Sequence, residues 1–348
     1  MKRVLVTGGA GFIGSNFIHY LLEQSGCEII NFDALTYAGN LENLKDIQKD
    51  SRYTFVKGDI RNAEQVSETL RKFEVDTVVN FAAETHVDRS IVSPDVFVSA
   101  NVLGTQTLLE CARVCWSLAP GDKHCRDYQP GVRFLQISTD EVYGSLGESG
   151  KFHESSPIAP NSPYAASKAS ADLFVRAYHE TFGFPALITR CSNNFGPYQF
   201  PEKLIPLIIY NSLHDKKIPV YGDGRQVRDW LYVEDHCSAL CRVLESGECG
   251  EVYNIGGDAE ESNLQVIRTI LHLIGRPEKL IQFVADRPGH DRRYAMDYTK
   301  LNRHTGWKPS YSFEEGLERT VRWYLENEQW METTAGRDFQ AYCKTMYT

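Results

Sequence analysis

Residues 138–144 read Ser-Thr-Asp-Glu-Val-Tyr-Gly and follow Gly-Val-Arg-Phe-Leu-Gln-Ile at 131–137, an apolar run that predicts a buried strand. The neighbouring carboxylates of Asp140 and Glu141 repel each other unless something separates their charges or uses them. A solvated turn, or a helix start whose dipole favours acids, accommodates such a pair without any chemistry. A second constellation follows. Asn-Ser-Pro at 161–163 is a helix start and puts Tyr164 and Lys168 at i and i+4, on one helix face. Tyr-x-x-x-Lys alone is equally an amphipathic surface pair. Beside a dinucleotide it acquires a mechanism, because the ammonium and a positive nicotinamide ring favour tyrosinate. Together they bring a phenol from about 10 toward neutrality, ~4 kcal/mol for about three pH units. Tyr164 then takes a hydroxyl proton while hydride leaves the same carbon.

The elements that must position these groups begin at the N-terminus. Lys-Arg-Val-Leu-Val-Thr-Gly-Gly-Ala-Gly-Phe-Ile-Gly, residues 2–14, is a short apolar strand running into glycines 8, 11 and 14. A helix follows, with Phe17, Ile18, Leu21 and Leu22 at helical spacing. Glycine lets backbone approach a phosphate closely, and the helix start offers unpaired N–H groups and a positive dipole end. Gly8, Gly11, Phe12, Ile13 and Gly14 are therefore cofactor candidates. A second strand, 28–33, ends in Asp33, about 20 residues past the turn, where a carboxylate accepts hydrogen bonds from the adenosine ribose. NAD is favoured over NADP, since a 2′-phosphate would meet Asp33 as like charge. Further strands are expected at 53–60, 77–83, 132–138, 186–193 and 251–256, mostly with helix-length patterns between them. This alternation predicts an α/β, Rossmann-type, doubly wound parallel sheet with ligands at the carboxyl ends of its strands. Asp59 with Ile60, Ala82 with Ala83, Glu84 with Thr85, the 139–141 trio, and Asn193 with Asn194 all fall at those ends.

Composition sets the outer limits. The chain has 348 residues, 42% of them hydrophobic, enough for one large or two ordinary domains. A net charge of −9 argues against nucleic acid or an anionic membrane as partner. The sequence contains no 18-residue apolar run and no signal-peptide layout before the first strand, so a cytoplasmic protein is expected. Nine cysteines without a C-x-x-C read as buried core residues rather than disulfides or a metal site. Val-Glu-Asp-His at 233–236 has metal-ligand residue types but no partner cluster, so no metal is expected. Residues 116–131 read as a surface loop.

Eight stretches together carry a resemblance. They are TGGAGFIG, AAETHVDRS, STDEVYG, YAASK, RCSNNFGPYQFPEKLIP, RDWLYVEDH, YNIGG and DRPGHDRRYAMD. With them the chain resembles the extended short-chain dehydrogenase/reductases, and among these the dTDP-glucose 4,6-dehydratases, from residue 2 to about 327. STDEVYG is the most discriminating, because related 4-epimerases and decarboxylases differ there. The resemblance implies a lyase reaction in three linked steps. Tyr164 removes the 4-hydroxyl proton as hydride passes from C4 to NAD, with Thr139 bonded to the C4 oxygen. Glu141, ionised, takes the C5 proton while Asp140, protonated, gives a proton to the departing 6-hydroxyl. Their mutual repulsion helps keep one of them protonated. Hydride then returns to C6 and Glu141 reprotonates C5. The product is the nucleotide-linked 4-keto-6-deoxyglucose. Readings that stay open are a UDP-glucose 4,6-dehydratase and a nucleotide-sugar 4-epimerase.

The resemblance further implies a smaller C-terminal lobe holding the nucleotide diphosphate. Arg228 and Arg287 are candidates for the phosphates, each with a guanidinium fork. Asn193, Lys203 with Leu204, Tyr221, Asn263 and His290 match the family's substrate positions, as does Thr85. The expected division is residues 1–193 with about 226–257 for NAD, and about 194–225 with 258–330 for the nucleotide sugar. Residues 331–348 are left as a tail without assigned role. A homodimer is also implied, consistent with apolar stripes on helices near 102–117 and 164–178, although such stripes equally face a sheet.

Overall fold

The computed structural model describes residues 1–286 and 289–336. Six strands arise in the first 191 residues: β1 (Arg3–Thr7), β2 (Glu28–Asp33), β3 (Tyr53–Lys57), β4 (Thr77–Asn80), β5 (Arg133–Thr139) and β6 (Ala186–Cys191). Shorter ones follow: β7 (Asn193–Phe195), β8 (Ile218–Tyr221), β9 (Val227–Tyr232), β10 (Val252–Ile255), β11 (Glu260–Ser262) and β12 (Ile281–Val284). The main sheet has the order β10-β6-β5-β4-β1-β2-β3, and every pairing in it is parallel. Strand order reverses between β1 and β4, the switch point at which such sheets open a crevice at their carboxyl ends. Near-continuous apolar runs such as Val4-Leu5-Val6 are what a strand covered on both faces requires.

A separate core forms farther along the chain. There β9 pairs with β7 and β11, β8 pairs with β12, and the helices Leu204–Leu213, Asn263–Ile274 and Phe313–Glu326 bury Ile208, Ile209, Ile267, Ile270, Leu317 and Tyr324 against Phe195 and Trp230. Residues 328–336, most of them given no role from sequence, dock on this core through Met331 and Ala335. Trp330 Nε1 also donates to Asn43 Oδ1 at 2.9 Å.

Several sequence expectations need correction. The strands expected to reach 60, 83 and 193 stop at Lys57, Asn80 and Cys191. Past Lys57 and Asn80 only single backbone bonds continue the pairing, Gly58 N to Asp33 O and Phe81 N to Thr7 O, and past Cys191 the chain leaves the main sheet, Asn193 pairing with β9 as the first residue of β7. Trp116, placed in a surface loop, is the last residue of the helix Gly104–Trp116 and is buried, its Nε1 donating to Val75 O at 2.7 Å. Cys249 is exposed in the turn before β10, and Cys115 is only partly buried, whereas Cys27, Cys111, Cys191, Cys237 and Cys241 are buried among apolar side chains or strands. Among the described residues, no helix is long and apolar enough to cross a membrane.

Candidate active site

The turn after β1 is possible only for glycine. Gly8 has φ +67°, and a Cβ there would lie 2.7 Å from the backbone N of Ala82. At Gly14 a Cβ would lie 2.4 Å from Gly8 O, so the helix Phe12–Gln24 packs directly on the turn. That helix starts at Gly11 without a side-chain cap, leaving its first turn open to a ligand. Asp33, at the end of β2, accepts Ala10 N at 2.9 Å and Leu35 N at 2.7 Å. Burial raises its pKa, and those two N–H groups oppose the rise. Asp59 is forked by Arg61, whose Nε approaches Oδ1 at 2.9 Å and Oδ2 at 3.0 Å, and this lowers the carboxyl pKa.

One cavity of about 460 Å³ runs from this turn to the end of β5. Gly8, Gly11, Phe12, Ile13, Gly14, Asp33, Asp59, Ile60, Ala82 and Ala83 line it at one end; Thr85, Thr139, Asp140, Glu141, Tyr164, Lys168, Asn193, Asn194 and Lys203 line the remainder. Thr139 caps the one-turn helix Asp140–Tyr143, its Oγ1 accepting Glu141 N at 3.3 Å and donating to Asp140 Oδ1 at 3.2 Å. This cap answers why two acids can follow a strand end: both line the cavity, but Asp140 is set deep in its wall, 2% exposed, while Glu141 is only half-buried. The pKa of Asp140 stands well above the usual carboxylate range, first because of burial, then because of Glu141 and Asp229, with Arg228 opposing. Burial thus does more than the neighbour's repulsion to keep it protonated.

The tyrosine–lysine pair departs from expectation. Lys168 is buried and donates Nζ to Ile137 O at 2.7 Å; burial lowers its pKa, against the pull of Asp172. Tyr164 is raised well above 10, by burial first and then by Glu141 and Cys191, with the Thr139 hydroxyl opposing. After burial, the Glu141 carboxylate and then the Cys191 thiol act most on the phenol, and Lys168 is not among the main influences on it.

Asn194 is braced from behind. Its Nδ2 donates to Ser192 O at 2.9 Å, so its Oδ1 faces His236 Nδ1 at 2.9 Å. Asp235, from the same Val-Glu-Asp-His stretch, accepts the backbone N–H groups of Ser310 and Tyr311. Both are tied into the fold, and among the described residues no group of three or more His, Cys, Asp and Glu is arranged for a metal. Lys203 Nζ donates to Thr85 O at 3.0 Å, joining two walls of the cavity.

Leu204, Tyr221, Arg228, Asn263 and His290 do not line this cavity. Leu204 packs on the second core as the first residue of its helix. Arg228 is buried, bonded to the carbonyls of Val227 and Asp291, and lies 4.5 Å from the Tyr294 ring centroid, yet its charge reaches Asp140. Tyr221 and His290 meet edge to face at 6.0 Å; His290 Nδ1 lies 2.6 Å from Asp286 Oδ1, and Tyr221 Oη donates to Asp88 at 3.5 Å. Asn263 N donates to Gln226 O, and Gln226 Nε2 to Asp286 Oδ2. These residues gather in a second polar cluster on the C-terminal half that touches the first half at Asp88. Arg287 lies outside the described residues. Cavity residues that sequence reasoning passed over include Tyr37, Arg61, Ala100, Cys191, Gln199 and Glu202. Cys191 lay within an expected strand end, Gln199 and Glu202 lie in the RCSNNFGPYQFPEKLIP stretch without having been singled out, Ala100 stands on the helical segment Val98–Leu103, and Tyr37 and Arg61 belong to loops after β2 and β3.

The family model described as GDP-mannose 4,6 dehydratase matches residues 5–320. A dTDP-glucose 4,6-dehydratase from Xanthomonas campestris pv. campestris (strain B100) is 52% identical over 341 residues, covering 95% of each chain. The crystal structure of a dTDP-glucose 4,6-dehydratase from Streptomyces venezuelae with NAD bound has a TM-score of 0.88 at 50% identity, covering 95% of this chain and 99% of that one. That of Bacillus anthracis in complex with NAD gives 0.85 at 50% identity over 96% and 100%. With identity of this level along nearly the whole chain, and the acid pair, tyrosine and lysine on one cavity wall, the chain belongs to the dTDP-glucose 4,6-dehydratase family.

Proposed function

We propose that this protein is an NAD-dependent lyase that converts dTDP-glucose to dTDP-4-keto-6-deoxyglucose and water. One observation carries the reading: a carboxyl group held protonated by burial and a half-exposed carboxylate stand on one turn, facing the same cavity as Tyr164. A 4-epimerase needs only the tyrosine; an elimination needs all three. The glycine turn, which a Cβ would fill, fits a dinucleotide, and Asp33 keeps acceptor capacity for ribose hydroxyls.

NAD, when bound, accepts hydride from C4 of the hexose and later returns it to C6. Tyr164 takes the 4-hydroxyl proton, and Thr139 bonds the same oxygen. With C4 a carbonyl, the C5 proton is acidic, and Glu141 removes it. Asp140 delivers its proton to the 6-hydroxyl, which leaves as water, and Glu141 then reprotonates C5. Lys203 and Asn193 serve the sugar-diphosphate end of the cavity. We read Arg228, Tyr221, Asn263 and His290, grouped beyond it, as the nucleotide side, with Leu204 as packing support. The second core thus corresponds to the nucleotide-sugar lobe and the main sheet to the NAD half.

We read the assembly as a homodimer. Ile91, Val92, Leu103, Leu173 and Phe174 are large apolar residues between 40% and 76% exposed, on helices that pack together at one side of the sheet. All eight cysteines among the described residues are unpaired, as in a cytoplasmic protein.

The reaction is tested by incubating the protein with a panel of nucleotide hexoses and weighing the products. Loss of one water from dTDP-glucose supports the reading; unchanged mass with inverted C4 indicates an epimerase. Substrate deuterated at C4 should carry the label to the C6 methyl group, and turnover in heavy water should place deuterium at C5. A C4 label found anywhere else overturns the linked steps.

A further inference from the structure

Beneath the cavity lies a charged group that does not line it. Asp172, 2% exposed and one turn after Lys168 on the helix Pro163–Phe182, receives Arg190 Nε at 2.9 Å. Arg190, buried on β6, donates its Nη1 to the Tyr143 hydroxyl at 2.9 Å and lies over that ring, 4.8 Å from its centroid. Tyr143 in turn donates to Asn254 Oδ1 on β10 at 2.8 Å and stacks on Phe152 at 5.0 Å. A buried ion pair adds little stability over apolar residues of the same shape. A rigid guanidinium fork, however, fixes directions as well as distances. Here its two ends meet different elements: Asp172 belongs to the helix that carries Tyr164 and Lys168, and Tyr143 closes the turn that opens with Asp140 and Glu141.

We propose that Arg190 is a positioning residue that holds the two catalytic pairs in register, the oxidation pair through Asp172 and the elimination pair through Tyr143. The inference rests on the dehydratase reading above. Both pairs must address one sugar ring, and a misplacement of about 1 Å lowers a rate by about 100-fold. Loosening one end of the fork therefore disturbs one chemical step more than the other.

Tyr143→Phe removes a single oxygen and keeps the ring stack. Elimination in this variant should slow by ~10- to 100-fold relative to oxidation. Absorbance of reduced cofactor then builds up on the enzyme during turnover, while KM for dTDP-glucose stays within about twofold. Asp172→Asn, equal in volume, should instead slow oxidation and show no such build-up. In the cofactor-free protein the two substitutions should be non-additive in urea midpoint, because each unpairs the same guanidinium. Should Tyr143→Phe fail to fold, Arg190→Lys replaces it, since one ammonium keeps the charged partner Asp172 and gives up the neutral Tyr143 hydroxyl, and the same imbalance is expected. Equal slowing of both steps, a wild-type rate, or additive midpoints would overturn the proposal. Wild-type protein in the same assay keeps the two readings apart: if it releases no water, the reaction is wrong whatever the variants do.

Discussion

Tyr164 and Asp140 are both nearly closed to solvent, and burial raises the pKa of each, with opposite consequences. For Asp140 the rise keeps the carboxyl protonated, which is what the general-acid role proposed for it requires. For Tyr164 it opposes the anion, so the phenol becomes a base only with a cation beside it. Tyr164→Phe should therefore lose product formation by about 100- to 10,000-fold. NAD binding, followed by titration, should be retained, because only the proton acceptor is removed; substantial turnover would mean that another group acts as base. The double variant Asp140→Asn, Glu141→Gln should oxidise C4 but release no dehydrated product, as read by cofactor absorbance and product mass. Near wild-type dehydration would return the pair to an ordinary capped turn.

At the scale of elements, the first strand, turn and helix act as one unit. Gly14 lets the helix Phe12–Gln24 sit against the Gly8 carbonyl, and that contact is backbone to backbone, with no flexible side chain to give way. Gly14→Ala must push the helix off the turn, at a cost of about 1–3 kcal/mol. A lower melting temperature together with weaker NAD binding is the expected result. Normal affinity in a destabilised variant would separate the packing of this helix from its role at the cofactor. The one-turn helix Asp140–Tyr143 shows the same economy: Thr139 caps it, Asp140 is buried, Glu141 faces the cavity, and Tyr143 anchors it in the core.

For the whole molecule, His236, on the helix Val233–Ser246, is joined to β7 through Asn194 Oδ1, and burial alone lowers its pKa from 6.5 to about 3. The unfolded chain takes up this proton below about 6.5, but the folded chain does not. The contribution is thus complete above that pH and is lost as pH falls toward 3, by ~1.4 kcal/mol per unit. Asp229, raised by burial to about 6, has the opposite sign: it is protonated in the folded state between its ordinary 3.8 and about 6, so stability falls as pH rises through that window. Denaturant unfolding of wild type and His236→Gln should therefore differ by an amount that shrinks steadily from pH 6.5 to 4. A constant difference would show that the imidazole titrates normally. The homodimer proposed at the apolar face predicts that Leu173→Glu shifts sedimentation from dimer to monomer with the melting curve of the monomer preserved; an unchanged sedimentation coefficient would overturn that proposal.

Local chemistry was legible in the sequence wherever a residue's neighbours along the chain are its partners in space. The glycine turn, Asp33 at the end of its strand, the acid pair behind β5 and the i, i+4 tyrosine and lysine are all of this kind, and all reach one cavity. The alternation of apolar strands with helical spacing was enough for a parallel sheet, since a strand covered on both faces must be apolar throughout. Tertiary structure alone decided how deeply Asp140 and Lys168 are buried, and hence the protonation each prefers. It also decided that Lys168 bonds to a carbonyl of β5, that Arg228 influences Asp140 from outside the cavity wall, and that Asp172, Arg190 and Tyr143 meet from three separate elements. These outcomes depend on desolvation and on contacts between residues far apart in the chain, and neither residue type nor spacing encodes them.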